Sequence, residues 1–206
     1  MEPIPSGHTL SWVNLGTVKS QRFTCWYCGN PLASDRGWVA KSTYSGKEAA
    51  YVCICHYCQR PTFIDELERQ HPGTVYGSPV QDVADKSVEG LYDEARLAIG
   101  AGAYTPAVLA CRKLLMHIAV AKGAKEGESF LSYVQYLADN HYIPPDARAW
   151  VDHIREKGNE ANHEIVIMSA DDAKELVAFC EMLLKIIYQF PAAVRKRTSS
   201  QQVGAS

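Results

Sequence analysis

Two Cys-x-x-Cys pairs, Cys25-Trp-Tyr-Cys28 and Cys55-His-Tyr-Cys58, lie 26 residues apart and constrain this chain more than any other feature. Four thiolates carried on two such turns can surround one Zn2+ tetrahedrally, with metal–sulfur distances of about 2.3 Å. The spacing is longer than usual for the pattern, and a hairpin accommodates it. Gly29 suits the tight knuckle turn, where positive φ lets backbone N–H groups face the sulfurs. Cys53 or His56 stands close enough in sequence to replace Cys55, although only Cys55/Cys58 repeats the spacing of Cys25/Cys28. With all four positions supplied by protein, the zinc is expected to be structural. It would contribute on the order of 10 kcal/mol to a segment with little core of its own.

Five of the seven cysteines fall between Cys25 and Cys58, while Cys111 and Cys180 stand alone in apolar helical segments. Clustered cysteines in a cytosolic chain are more often metal ligands than a disulfide framework. The first twenty residues lack the basic start and apolar core of a secretory signal. Lys185 interrupts the best apolar run, Met182 to Tyr188, so no membrane span and a cytoplasmic location are expected. The 206 residues are 47% hydrophobic and 21% charged, with a formal net charge of −2. Such values exclude a disordered acidic chain, a collagen-like chain and a strongly basic nucleic-acid coat. Any contact with nucleic acid then has to come from a local patch. Trp26, Tyr27, Trp38, Tyr44 and Tyr57, interleaved with Arg22, Arg36, Lys41, Lys47 and Arg60, can form one suited to base stacking, or can simply cover a small core.

Residues 21–64 read as short strands and turns, around Arg22-Phe-Thr, Gly37-Trp-Val-Ala and Ala50-Tyr-Val-Cys-Ile. Helical periodicity takes over near residue 86, with Val88, Leu91, Tyr92, Ala95 and Ile99 on one face. A second helix is expected after Pro106, a third around Phe130–Leu137 and a fourth around Ala149–Ile154. The last opens at the Ser169-Ala-Asp-Asp172 cap and carries a wide apolar stripe from Ala173 to Ile187. No internal repeat is evident. The expected organisation is a zinc-ribbon-like module with a loose lead-in over 1–64, a linker over 65–85, a helical bundle over 86–192 and a flexible tail over 193–206.

A second informative stretch runs Ile154-Arg155-Glu156-Lys157-Gly158-Asn159-Glu160-Ala161-Asn162-His163. Its polar groups can be satisfied caps, with Asn159 bonding local backbone and His163 a helix end. Together with Glu94-Ala95 and Ala110-Cys-Arg112-Lys-Leu-Leu115, this stretch resembles the bacterial domain of unknown function 4145, a family assigned to the HEPN superfamily of helical bundles. The resemblance covers about residues 79–190 and extends to the Ser-Ala-Asp-Asp-Ala start of the last helix.

That resemblance implies a bundle that dimerises, in phage-defence, restriction or toxin–antitoxin settings. It also implies, for active members, metal-independent RNA cleavage by a histidine paired with an arginine four to six residues earlier. His163 would then be the general acid/base, with Arg155 or Lys157 neutralising the transition state beside Asn159, and with Arg112 and Glu160 as binding residues. Seven residues separate Arg155 from His163, and Lys157 offers a point charge in place of a bidentate fork. The expectation is therefore a mostly α chain, an HEPN-like bundle preceded by a small β-rich zinc ribbon. It would be a non-catalytic binding and assembly protein, homodimeric through the bundle, with an RNA or protein partner and no membrane. A ribonuclease using His163 and a DNA-binding accessory protein acting through the ribbon are the alternatives.

Overall fold

The computed structural model describes residues 11–144, 150 and 167–203, with side chains to 198. The chain divides into two compact units, residues 1–75 and 76–206. Helix accounts for 44% and strand for 20%, which corrects the expectation of a mostly α chain. The difference comes from the first unit, which is a five-stranded antiparallel sheet in sequential order rather than a minimal ribbon.

Its strands are β1 (Gly16–Thr24), β2 (Pro31–Lys41), β3 (Glu48–Ile54), β4 (Pro61–Ile64) and β5 (Gln70–His71). β1 therefore starts inside residues 1–20, the stretch read as a loose or edge-forming lead-in, and it forms one edge of the sheet. β2 is long because it serves two hairpins. Residues up to Gly37 pair with β1, and residues from Gly37 on pair with β3. Gly37 is where the backbones come closest: a Cβ there would lie 1.9 Å from the Val52 carbonyl oxygen.

The two hairpins repeat one another, which the sequence reading missed. Cys25-Trp-Tyr-Cys28-Gly-Asn-Pro31 and Cys55-His-Tyr-Cys58-Gln-Arg-Pro61 share Cys, Tyr, Cys and Pro at matching positions, 30 apart (55 − 25). Their registers match at that offset: Thr24 pairs with Pro31 and Ile54 with Pro61, then Phe23 with Leu32 and Cys53 with Thr62. Proline at the first residue of β2 and of β4 costs no ladder bond. Val18, Phe23, Tyr51, Cys53 and Ile64 form a small core with Cys25 and Cys55.

The second unit is helical, with α1 (Lys86–Gly100), α2 (Tyr104–Ala121), α3 (Phe130–Asp139) and α4 (Ala170–Leu184). One π turn (Lys185–Gln189) joins α4 to α5 (Phe190–Val203). The C-terminal stretch expected as a flexible tail is thus helical to Val203. Asp85 caps α1 by accepting from the Ser87 and Val88 amides at 2.8 and 3.3 Å. Ser169 and Asp172 form a reciprocal capping box on α4. α2 begins two residues before Pro106, which sits in the first turn where its missing N–H leaves no helical bond unmade.

α2 is central, packing on α1, α3 and α4. It buries Ala107, Val108, Cys111, Leu114, Leu115, Ile118 and Ala119. α4 faces it with Ala173, Leu176, Val177, Phe179, Cys180, Leu183 and Leu184. The helix from Ala170 to Thr198 is long and apolar enough to cross a membrane by length and composition. Within it Lys185 is paired with Glu181 one turn earlier. A third of its most apolar window is buried inside the fold. Of the expected fourth helix only Trp150 is described, and its ring meets Phe179 edge-on at 5.1 Å.

Candidate metal centre

Each knuckle is built by the same backbone bonds. The Cys25 amide donates to Asn30 O at 2.9 Å and the Gly29 amide to Cys25 O at 2.8 Å. In the second, the Cys55 amide donates to Arg60 O at 2.9 Å and the Gln59 amide to Cys55 O at 3.0 Å. The turn needs positive φ at its fifth position, supplied by Gly29 (71°) and, at the cost of a side chain in that region, by Gln59 (57°).

The two turns bring Cys25, Cys28, Cys55 and Cys58 together, with all four sulfurs within 4.8 Å of one another. Cys25 Sγ lies 3.6 Å from Cys58 Sγ, and Cys28 Sγ lies 3.7 Å from Cys55 Sγ. A tetrahedron with metal–sulfur bonds of about 2.3 Å has edges of roughly 3.8 Å. The cluster is therefore compatible with one metal ion in a four-sulfur shell, and every cysteine in the chain is a free thiol. Cys25 and Cys55 sit in the sheet core, while Cys28 is exposed.

The sequence left Cys53 and His56 open as alternatives, and neither joins the sulfur group. Cys53 is fully buried in the sheet core, where burial pushes its thiol up to about 11. His56 lies at the surface with Nε2 3.1 Å from Ala33 O. Among the four cluster cysteines, burial raises the Cys25 and Cys58 thiols. At Cys28 burial opposes ionisation, yet hydrogen bonds from the Asn30 amide and side chain bring it down to about 7. Asn30 Nδ2 reaches Cys28 Sγ at 3.4 Å.

Aromatic and basic side chains surround the knuckles. Tyr27 and Tyr57 occupy equivalent places in the repeat and are 42% and 66% exposed. The Arg60 guanidinium lies 5.6 Å from the Tyr27 ring centre. Trp12 holds the second knuckle, donating from Nε1 to Gln59 O at 2.7 Å while its ring meets Trp38 edge-on. Tyr44 is fully exposed at the β2–β3 turn, and Arg22, Arg36, Lys41 and Lys47 face solvent.

Sequence reasoning missed Asp65. Its buried carboxylate accepts from the Leu67 and Arg69 amides at 3.0 and 2.8 Å, from Arg69 Nε at 2.7 Å and from His71 Nε2 at 2.9 Å. These bonds tie the β4–β5 turn. The available signal was an aspartate two residues before a turn amide and four before an arginine.

Of the second predicted site, Arg155, Lys157, Asn159, Glu160 and His163 lie outside the described residues. Arg112 is described: its guanidinium stacks 4.7 Å from the Phe130 ring centre, half-buried between α2 and α3. His117 Nε2 lies 3.2 Å from the α1 cap carboxylate of Asp85.

Comparison with known proteins gives one finding. A family model described as a domain of unknown function, DUF4145, matches residues 93–201. No curated protein and no solved structure matches the chain.

Proposed function

The chain belongs to the DUF4145 family, whose match takes in 109 of its 206 residues (93 to 201 inclusive), and on that premise we propose a non-catalytic binding and assembly protein. In this reading the first unit is a zinc-stapled docking platform and the helical unit, of HEPN kinship, is the assembly element. The setting is cytoplasmic, in a bacterial defence or RNA-related system.

The observation that carries the reading is the closed four-sulfur cluster. Four protein ligands leave a tetrahedral ion no position for water or substrate, so the zinc would hold shape and supply no Lewis acid to a reaction. What it would hold in place is the pair of knuckle tyrosines. Tyr27 and Tyr57 offer two exposed rings, and Arg60 adds a cation beside one of them. Residues 11–75 carry seven basic side chains (Lys19, Arg22, Arg36, Lys41, Lys47, Arg60 and Arg69) against five acidic ones (Asp35, Glu48, Asp65, Glu66 and Glu68), a local excess of two in a chain of net charge −2. Stacking rings beside a local positive charge favour single-stranded nucleic acid over duplex DNA.

The test is fluorescence anisotropy with a labelled single-stranded oligoribonucleotide, at two salt concentrations. Binding is expected to weaken with salt and to fall about tenfold in Tyr57→Ala, on the scale of about 1–3 kcal/mol per stacked base. Binding indifferent to Tyr27 and Tyr57 would overturn the docking surface. The ribonuclease alternative is decided by cleavage of mixed RNA in EDTA: cleavage abolished by His163→Ala would replace the binding reading.

A further inference from the structure

Strands β2 to β5 carry a row of rings on the face that turns away from the sheet core. Successive side chains of a strand point to opposite faces. Val39, Tyr51, Cys53 and Ile64 pack in the core, so Trp38, Val52 and Phe63 face the other way. Their registers make one row: Trp38 pairs with Val52, Val52 with Phe63 and Phe63 with His71. Three strand spacings of about 4.8 Å give the row a length of about 14 Å. Trp38 and Val52 are half-buried, Phe63 is 40% exposed and the His71 side chain 51%.

Each end of the row is fixed by contacts of its own. At the β5 end the His71 ring lies 6.0 Å from the Phe63 ring, tilted by 34°. Asp65 sets that orientation, since its buried carboxylate accepts from His71 Nε2 at 2.9 Å. With the hydrogen on Nε2, the neutral ring leaves Nδ1 as an acceptor, and Nδ1 has no partner among the described residues. At the β2 end Trp12 meets Trp38 edge-on at 5.6 Å and donates from Nε1 to Gln59 O in the second knuckle. Trp12 thus joins the row to the knuckle that bears Tyr57. The β4–β5 turn carries Glu66 and Glu68 as well as Arg69, so the row offers rings and an acceptor without a positive field.

We infer that this row is a second stacking surface for single-stranded nucleic acid, which leaves the knuckle tyrosines and crosses the sheet over Trp38, Phe63 and His71. The inference rests on the nucleic-acid reading of the knuckles and adds residues outside them. Two features select the occupant. The row continues from the knuckle surface through Trp12. Its open end sets a ring platform beside an oriented acceptor, which matches the face and the N–H edge of an unpaired base. Asp65 is a positioning residue that acts through His71.

Anisotropy with a labelled single-stranded RNA of about twelve nucleotides and the full zinc-loaded chain tests it. Phe63→Leu keeps an apolar side chain and loses the ring. It should weaken binding about tenfold, the scale of one stacked base, whereas Phe63→Trp should bind at least as tightly as wild type. Because Phe63 carries no charge, the dependence of affinity on salt should be the same in Phe63→Leu as in wild type. Asp65→Asn should weaken binding when His71 is present and add nothing in a His71→Ala background, a coupling that a purely structural role would not produce. Circular dichroism checks that each variant is folded. Binding that depends on Tyr57 but ignores Phe63→Leu would overturn the row and leave the knuckle reading standing. If Phe63→Leu also turned a dimer into a monomer in sedimentation, the row would belong to a second copy. Equal losses in Phe63→Leu and Phe63→Trp would overturn stacking, and a wild type that binds no single strand would overturn both readings.

Discussion

Asp65 shows how one side chain ties a turn to the sheet. Burial alone would favour its neutral form, but donation from His71, Arg69 and the Leu67 amide holds the carboxyl well below the usual carboxylate range. Its folded-state pKa is therefore below the unfolded value of about 3.9, so its stabilisation is complete above that pH and is lost as pH falls through the folded value. Asp65→Asn removes the charge at every pH. The melting temperature of the first unit should lie below wild type at neutral pH, and the gap should close in acid. A gap that stays constant with pH would assign the residue a packing role alone. The residue was legible only in hindsight, because an isolated aspartate in a charged turn looks like any solvated carboxylate until its partners are placed.

At the scale of elements, Gly37 carries the clearest consequence. β2 serves both hairpins because it passes Val52 and Cys53 with no side chain between them. In Gly37→Ala the new methyl would overlap the Val52 carbonyl, and the strands must separate to admit it. A loss of about 3 kcal/mol is expected, read from urea unfolding followed by tryptophan fluorescence. Gly16→Ala, whose Cβ would meet nothing closer than 3.8 Å, should be nearly neutral. Equal effects at both glycines would mean that the close approach does not matter. Helices α1 to α4 were legible because long amphipathic periods and caps such as Ser169 are local signals. β4, β5 and the early start of β1 were not. β4 and β5, at four and two residues, are too short to show an alternating pattern of their own and are fixed by pairing with the neighbouring strand, and the hairpin repeat rests on four shared residues in each seven-residue knuckle.

At the scale of the molecule, the chain joins two units stabilised by different means. The helical unit holds itself by a broad apolar core between α1, α2, α3 and α4. The sheet unit has a core of seven buried residues, two of them cluster cysteines, and a metal ion across the four sulfurs would cross-link its two knuckles. Its ligand positions were readable in the sequence because knuckle chemistry is written in adjacent residues. The choice among Cys53, Cys55 and His56 was not, since it depends on where β3 ends and the knuckle turn begins. The central claim is that one zinc ion closes the four sulfurs and nothing else. Zinc K-edge X-ray absorption on the full chain, purified without added metal, tests it most directly. The account predicts four sulfur neighbours at about 2.3 Å and no lighter atom in the shell. A shell containing nitrogen or oxygen would contradict it, because the metal would then take His56 or stand open to water.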